Sequence, residues 1–348
     1  MATLHAQVRQ AVIAEQPDLL DHAEHCSADG DMLATIGRGP GHQVRIHPVD
    51  DPSRLALYTV SQLRDETPPH IVRMGAGGRH RLVPPGTGGT GNDTEIDTGI
   101  DTRLAVVVDS VVPRRGLSDA DAARLGEFVE RLDDDGRHRG LIAIAPHGGD
   151  IEPYTDTQAE RVAARLARFG VSVWRCRGFD LHDQSAGQRF HITSTDLHEA
   201  SFPGLQAVID RGFRYAVAFH GFRGVGVLVG GGAPFRLKAE IASALEQALA
   251  GAGLPVRIAG PDDVLGGDSP RNIVNRLTVA GRGGIHLEQS LIARTEHAAA
   301  IADAVAQVFV GRLEHLRHPP GWLRTARSVC GVVRRFARRR RPHPFSGR

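Results

Sequence analysis

An α/β fold with an open, mixed and mostly parallel sheet flanked by helices is predicted by three features of the sequence. From Leu104 onward, short apolar runs alternate with helical stretches, which is typical of parallel sheets covered by helices. The chain has 348 residues and a hydrophobic content of 41%, enough for a large core. Several apolar runs end in a histidine or a glutamate, and ligands in open α/β sheets bind beyond the carboxyl ends of the strands.

The first half of the alternating region has well-marked boundaries. Ser118 is a good N-cap and is followed by acidic residues, which favours a helix after it, and Gly170 is a typical helix terminator. The expected order is strand 104–109, helix 119–132, strand 141–147, helix 156–169, strand 171–176 and a strand-like segment at 189–193.

The second half follows the same pattern of β-branched runs and helical periodicity. We expect helix 200–211, strand 215–220, strand 225–229, helix 237–250, strand 255–259, a loop at 260–271, strand 284–288 and helix 295–314.

The remainder of the chain is less regular. We expect a helix at 3–13, a strand or short helix at 57–64 and a strand at 71–74, before a flexible Gly-rich loop at 84–102. The predicted organisation is an N-terminal segment of unknown role (1–54), an accessory segment with the Gly-rich loop (55–103), the main α/β domain (104–317) and a basic, disordered tail (318–348).

The composition limits the class of protein. Basic residues (42) and acidic residues (40) nearly cancel to a net charge of +2, so bulk charge favours neither a nucleic-acid binder nor a membrane-surface protein. The cysteines at 26, 176 and 330 are far apart, which argues against a disulfide framework or a cysteine zinc site. Charged side chains interrupt the first twenty residues, so we expect a cytoplasmic protein without a membrane span, released, if at all, by lysis.

A candidate metal site follows the strand at 141–147. Gly148 and Gly149 permit a tight turn, which allows the imidazole of His147 and the carboxylate of Glu152 to converge. Zinc accepts both groups, and a catalytic zinc takes three protein ligands and leaves a fourth position open. A third ligand is therefore expected downstream.

Two further apolar strands end in ionisable residues. The strand at 215–219 leads into His220, and the strand at 284–287 leads into Glu288. Because the carboxyl ends of parallel strands lie at one edge of a sheet, both side chains are better functional candidates than residues on a helix face.

Five ordered motifs within residues 104–315 resemble the poly-γ-glutamate hydrolases, a family of zinc peptidases that includes phage depolymerases. The motifs are His147-Gly-Gly-Asp-Ile-Glu152, His191-Ile-Thr-Ser-Thr195, His220-Gly221-Phe222, Asn272-Ile-Val-Asn-Arg276 and Leu287-Glu-Gln-Ser290. The resemblance implies a fold similar to the zinc carboxypeptidases, a Zn²⁺ cofactor bound by His147, Glu152 and His220, and Glu288 as the catalytic base. The implied substrate is a γ-linked glutamate polymer or another carboxylate-bearing amide.

Four more residues are candidates for substrate binding. Arg276 has a planar guanidinium suited to a substrate carboxylate or an oxyanion. Asn272 and Asn275 either contact the scissile amide or serve the turn beside them, and turn chemistry explains them nearly as well. The resemblance favours a substrate-binding or supporting role for His191 over a purely structural one, with His182 and His198 as competitors.

Two other functions are open from the sequence. A zinc deacylase of small N-acyl amino acids would need the same metal site and a different substrate. A non-catalytic polyanion-binding protein would use the arginine-rich run at 334–341, the one place where nucleic-acid binding is expected.

Overall fold

The computed structural model describes the backbone of residues 8–15 and 317, and it describes residues 22–65, 71–82, 104–181 and 184–316 in full. The predicted Gly-rich loop at 84–102, the basic tail at 318–348 and the competitor His182 lie outside the described residues. Among the described helices, none combines the length and apolar character that crossing a bilayer requires.

The N-terminal part of the chain folds into a closed six-stranded barrel with the strand order β1-β5-β2-β4-β3-β6. Its strands are β1 (Val8–Glu15), β2 (His25–Asp29), β3 (Gln43–Pro48), β4 (Ala56–Arg64), β5 (Ile71–Met74) and β6 (Leu104–Asp109), with short helices α1 (Gly30–Thr35) and α2 (Ala76–His80). β1 runs parallel to β5 and β2 runs parallel to β4, whereas the other neighbours are antiparallel. Buried Val44, Tyr58 and Val106 belong to its separate core.

The predicted helix at 3–13 is wrong for the residues described, because Val8–Glu15 is a strand. Its apolar residues have a spacing compatible with a helix, but β1 supplies the hydrogen bonds that close the barrel between β5 and β6. Tertiary pairing therefore overrides a weak local preference. The strand expected at 104–109 is present, but it pairs with strands of the barrel. The predicted domain boundaries stay predictions.

The C-terminal part contains a seven-stranded sheet with the order β12-β11-β13-β10-β8-β9-β7. Its strands are β7 (Phe128–Asp133), β8 (Leu141–Gly149), β9 (Ser172–Gly178), β10 (Tyr215–Gly221), β11 (Val227–Gly230), β12 (Val256–Ile258) and β13 (Gly284–Gln289). Four of the six strand pairs are parallel and two are antiparallel. The prediction of an open, mostly parallel mixed sheet in an α/β fold is confirmed.

Helices cover both faces of this sheet because its central strands are apolar on both sides. Along β8, Leu141 and Ala143 face one core, and Ile142 and Ile144 face the other, as the two-residue repeat of a strand requires. The helices are α3 (Asp119–Leu125), α4 (Thr155–Arg165), α5 (Ala186–Phe190), α6 (Pro203–Val208), α7 (Phe235–Ala248), α8 (Ile273–Arg276), α9 (Leu291–Glu296) and α10 (Ala298–Arg317).

Two elements predicted for the C-terminal part are wrong. The helix expected at 119–132 ends at Leu125, because Gly126 adopts a left-handed φ of 59° and caps it, and β7 follows as an antiparallel edge strand. The strand-like segment at 189–193 is instead the end of α5, which Ser185 caps, followed by irregular chain.

The barrel packs against one face of the sheet. Leu55 and Leu57 of the barrel region share a core with Ile142 and Ile144 of β8. The guanidinium of Arg189 donates to the carbonyl oxygen of Leu55 at 3.0 Å. The barrel and the sheet are thus joined by apolar packing and by buried hydrogen bonds.

Candidate active site

The site begins where β8 and β9 approach each other unusually closely. A Cβ on Gly148 would lie 2.8 Å from the carbonyl oxygen of Cys176, and a Cβ on Gly149 would lie 2.5 Å from the carbonyl oxygen of Gly178. Gly149 also has a left-handed φ of 69°. The two glycines are therefore required sterically, and the turn they form leads to Glu152, whose amide donates to the carbonyl oxygen of His147 at 2.8 Å.

Three buried side chains meet at this turn. Nδ1 of His147 lies 3.1 Å from Oε1 of Glu152 and 3.2 Å from Nδ1 of His220. Nδ1 of His220 lies 3.5 Å from Oε2 of Glu152. β8 supplies His147 and its neighbour β10 supplies His220, so the parallel sheet brings together side chains 73 positions apart. The structure thus brings together the three residues expected to bind zinc.

These distances fit a tetrahedral metal site. Ligand atoms about 2.1 Å from a zinc ion are about 3.4 Å from one another in a tetrahedron. Oε2 of Glu152 is buried and has no hydrogen-bond partner among the described residues, so this lone pair is free for a cation.

The electrostatics of the triangle also favour a cation. Burial raises the pKa of Glu152, but His147 and His220 outweigh burial and hold it well below its ordinary range. Burial lowers the pKa of His147, whereas Glu152 and the carbonyl of Ile192 raise it, with a net increase. Burial and the nearby His286 lower the pKa of His220 to about 4, so that imidazole is neutral. A carboxylate faces two imidazole nitrogens across a shared space.

His191 lies beside this triangle and forms a second possible set. Atoms of His147, Glu152 and His191 lie within 4.8 Å of one another. However, Nε2 of His191 is 4.0 Å from Oε1 of Glu152, and its side chain is 42% exposed. His147 and Glu152 with His220 form the tighter and more buried set, which leaves His191 at the edge of the site. His191 follows a helix, not the strand that the sequence suggested.

Glu288 is buried on β13, directly opposite His220 of β10 in the parallel ladder. Its Oε1 accepts a hydrogen bond from Nε2 of His286 at 2.9 Å, and Nδ1 of His286 is buried without a partner among the described residues. These contacts indicate that His286 carries its proton on Nε2. One oxygen of Glu288 is therefore held and the other is left available.

The other predicted substrate-binding residues make structural contacts. The Asn272 side chain caps α8, and Asn275 bridges Gly232 N at 2.8 Å, Gly267 O at 2.9 Å and Ser269 O at 2.8 Å. Arg276 donates to Leu197 O at 2.8 Å and to Glu199 at 2.5 Å. It lines a cavity of ≈ 370 Å³ with Arg271 and His198, the other competitor. Their contact with substrate stays a prediction.

Sequence analysis missed Arg294 and gave no separate role to Ser194, which lies within the motif at 191–195. Arg294 lies on α9, six residues after Glu288, and is 9% exposed. Ser194 Oγ lies 3.3 Å from Nε2 of His220. Burial of a charged residue cannot be read from one sequence, but the position of Arg294 just beyond a functional strand end was a usable signal.

Comparisons with known proteins assign a family to the part of the chain that carries this site. Residues 129–301 match the family model described as "Poly-gamma-glutamate hydrolase". This segment belongs to the poly-gamma-glutamate hydrolase family. It contains β8, β10 and β13 together with all the residues of the triangle and Glu288, and the chain is therefore a hydrolase. The predicted resemblance is confirmed.

No curated protein sequence matches the chain. Solved structures do match it, including a bacteriophage poly-gamma-glutamate hydrolase (24% identity, 52% of this chain and 87% of that chain, TM-score 0.42). The zinc-free form of a protein named YNDL matches at 22% identity over 52% of this chain and 88% of that chain, with a TM-score of 0.40. A metallo-carboxypeptidase from Burkholderia cenocepacia matches at 14% identity over 62% of this chain and 72% of that chain, with a TM-score of 0.34.

Proposed function

We propose that the chain is a zinc-dependent hydrolase of γ-glutamyl amide bonds, with poly-γ-glutamate as its substrate class. The observation that carries the proposal is the buried triangle of His147, Glu152 and His220 within the family segment. Its donor set of two imidazoles and one carboxylate is the kind that catalytic zinc uses in hydrolases. The cytoplasmic location expected from the sequence stays a prediction.

In this proposal, His147, Glu152 and His220 hold the metal. Bound zinc supplies Lewis acidity, which makes water nucleophilic near neutral pH and polarises an amide carbonyl. The carbonyl oxygen of Ile192 lies 2.8 Å from Nε2 of His147 and fixes the proton there, so Nδ1 presents its lone pair to the site. Oγ of Ser194 lies 3.3 Å from Nε2 of His220 and restrains the orientation of that ring.

Glu288 is the proposed base. Its free carboxylate oxygen accepts a proton from the attacking water and then delivers it to the nitrogen of the leaving amine. His286 fixes the other oxygen at 2.9 Å, which limits rotation of the carboxylate. The parallel pairing of β10 and β13, in which Glu288 is opposite His220, supports this role.

The proposal is tested by separating metal binding from proton transfer. We expect Glu288→Gln to retain about one zinc per chain while kcat on γ-polyglutamate falls by about 10²- to 10⁴-fold, because the base is lost. We expect His147→Ala to lose both zinc and turnover. Zinc content is measured by atomic absorption, and cleavage by the release of new amino groups. Surface variant Arg236→Gln, whose side chain is 90% exposed, is the control.

Assaying an N-acyl amino acid in parallel tests the deacylase alternative. Turnover of that compound without cleavage of γ-polyglutamate would replace the proposed substrate while keeping the metal mechanism. Full activity in Glu288→Gln would remove the proposed base. Activity that survives both chelation and His147→Ala would overturn the zinc mechanism.

A further inference from the structure

Arg294 is a buried cation at the edge of the proposed active site. It lies on helix α9, six residues after Glu288, and its side chain covers Gly221, the residue after His220. A Cβ on Gly221 would be 2.5 Å from Nε of Arg294. The sequence therefore keeps a glycine where the guanidinium needs room.

Most N–H donors of the Arg294 side chain have no hydrogen-bond partner among the described residues. Nη1 donates to the carbonyl oxygen of Pro153 at 3.1 Å, next to Glu152. Nε is buried and has no partner among the described residues. A guanidinium has five N–H donors, and leaving them unpaired in a buried position is unfavourable unless a ligand completes them.

The charges around Arg294 also favour the binding of an anionic ligand. The group is only 9% exposed and forms no ion pair within 4.0 Å in the part of the chain that the structure describes. Burial lowers its pKa, and Glu152 and Glu288 act in the opposite direction, so both proposed reactive carboxylates are near enough to interact with it. When zinc neutralises Glu152, the charge of Arg294 becomes available to another anion.

Arg276, the residue that the sequence suggested for binding a carboxylate, differs in this respect. Its guanidinium already donates to Glu199 at 2.5 Å and to Leu197 O at 2.8 Å. A substrate carboxylate would have to displace an existing ion pair at Arg276. At Arg294 it would only fill unused donors.

We propose that Arg294 binds the carboxylate of the substrate next to the scissile amide, and so selects γ-glutamyl substrates over neutral amides. This inference rests on the proposed function, whose substrate class it explains. A γ-glutamyl linkage carries a carboxylate one carbon from the amide nitrogen of the leaving residue. A planar guanidinium matches such a group with two parallel hydrogen bonds.

The test uses the full-length, zinc-loaded protein and two probes. The first probe is γ-glutamylglutamate, and the second is the same dipeptide with the α-carboxylate of its leaving residue converted to an amide. We expect the wild type to prefer the first probe by about 10- to 100-fold in kcat/KM, the value of a charged hydrogen-bond pair. Arg294→Gln is expected to lose this preference, mainly through KM, and Arg294→Lys to recover part of it.

Circular dichroism and zinc content check that each variant is folded and metal-loaded. Exposed Arg236→Gln serves as the matched arginine control. A wild type that cleaves both probes equally, or an Arg294→Gln variant that keeps the preference, would overturn the inference while leaving the hydrolase proposal intact. Loss of the preference in Arg276→Gln, with Arg294→Gln unchanged, would assign the role to Arg276.

If the loaded wild type cleaves neither probe, the kinetic comparison does not apply, and the hydrolase proposal is judged separately by cleavage of γ-polyglutamate. Binding of γ-glutamylglutamate measured by calorimetry then decides the inference. Equal affinity in the wild type and Arg294→Gln would refute it, and affinity at least 10-fold weaker in Arg294→Gln would support it.

Discussion

Nδ1 of His147 and Nδ1 of His220 face each other at 3.2 Å, and this contact follows from what holds the opposite side of each ring. The carbonyl oxygen of Ile192 contacts Nε2 of His147, and Ser194 contacts Nε2 of His220. The carbonyl can only accept, so it fixes the proton of His147 on Nε2 and leaves Nδ1 as an acceptor, while the Ser194 hydroxyl restrains the ring of His220. One short segment, 192–194, therefore orients both proposed ligands.

The choice between His220 and His191 as third ligand leads to a prediction at the residue scale. His220→Ala is expected to lower zinc affinity by at least about 100-fold, because it removes the imidazole closest to both other ligands. His191→Ala is expected to retain about one zinc per chain. Zinc titration with a competing chelator measures both.

Thermal unfolding of the metal-free variants controls for misfolding. The reverse result, with zinc lost in His191→Ala and kept in His220→Ala, would assign the ion to the second set of His147, Glu152 and His191.

At the scale of elements, the pairing of β8 with β9 determines where the active-site turn lies. Pairing between these strands shifts register between Ala145 and Gly148, just before the ligand-bearing turn. The shift permits the close contact of Gly149 with Gly178, and it redirects the chain toward Glu152. An irregular pair of strands thus forms part of the site.

We predict that Gly149→Ala destabilises the protein more than a substitution at an open left-handed glycine. Gly136 provides that reference, since its φ is 74° and nothing lies within 4 Å of an added Cβ. Gly136→Ala should cost about 1–2 kcal/mol in the free energy of unfolding, from backbone strain alone. Gly149→Ala should cost roughly 1–3 kcal/mol more, because its Cβ also collides with the Gly178 carbonyl.

Urea unfolding of the metal-free proteins measures the two free energies. Equal losses of stability in the two variants would mean that β9 moves aside easily, and that the close approach is not a constraint on the turn.

At the scale of the whole molecule, the barrel contributes to the active site through Arg81. This buried arginine donates to the carbonyl oxygen of Leu57 in the barrel at 2.8 Å and to Arg189 O at 2.9 Å. It also donates to the carbonyl oxygens of Gln188 and His191. The segment 188–191, whose carbonyl oxygens accept these hydrogen bonds, leads directly to Ile192, which orients His147. The barrel lies outside the family segment at 129–301, yet it supports the proposed metal site.

Arg81→Met is therefore predicted to affect both stability and catalysis. Several buried carbonyl groups would lose their donor, which should lower the free energy of unfolding by roughly 2–4 kcal/mol. We also expect kcat to fall at temperatures where the variant is fully folded, because the segment that orients His147 is released. Urea unfolding and steady-state kinetics at 15 °C measure the two effects, with Arg236→Met as the exposed control. Unchanged kcat in folded Arg81→Met would limit the barrel to a stabilising role.

Local signals explain why much of the C-terminal part was predictable. Buried strands such as 141–147 and 284–288 are continuous apolar runs ending in ionisable residues, and parallel pairing places those ends together. The barrel was not predictable in the same way, because its parallel pairs join strands distant in sequence and its strands have little periodicity of their own. The helix expected to continue past Leu125 failed because a single glycine ends it.

The sequence by itself determined the α/β class and the hydrolase family, and it singled out His147, Glu152 and His220 as candidate ligands, since strand ends and short motifs carry that information locally. Only the tertiary structure decided that Arg276 is already paired with Glu199, that Arg294 is buried beside the site and that Arg81 ties the barrel to it. The physical reason is that burial and pairing of a charged side chain depend on groups far away in the sequence. Local patterns of residues do not encode those distances.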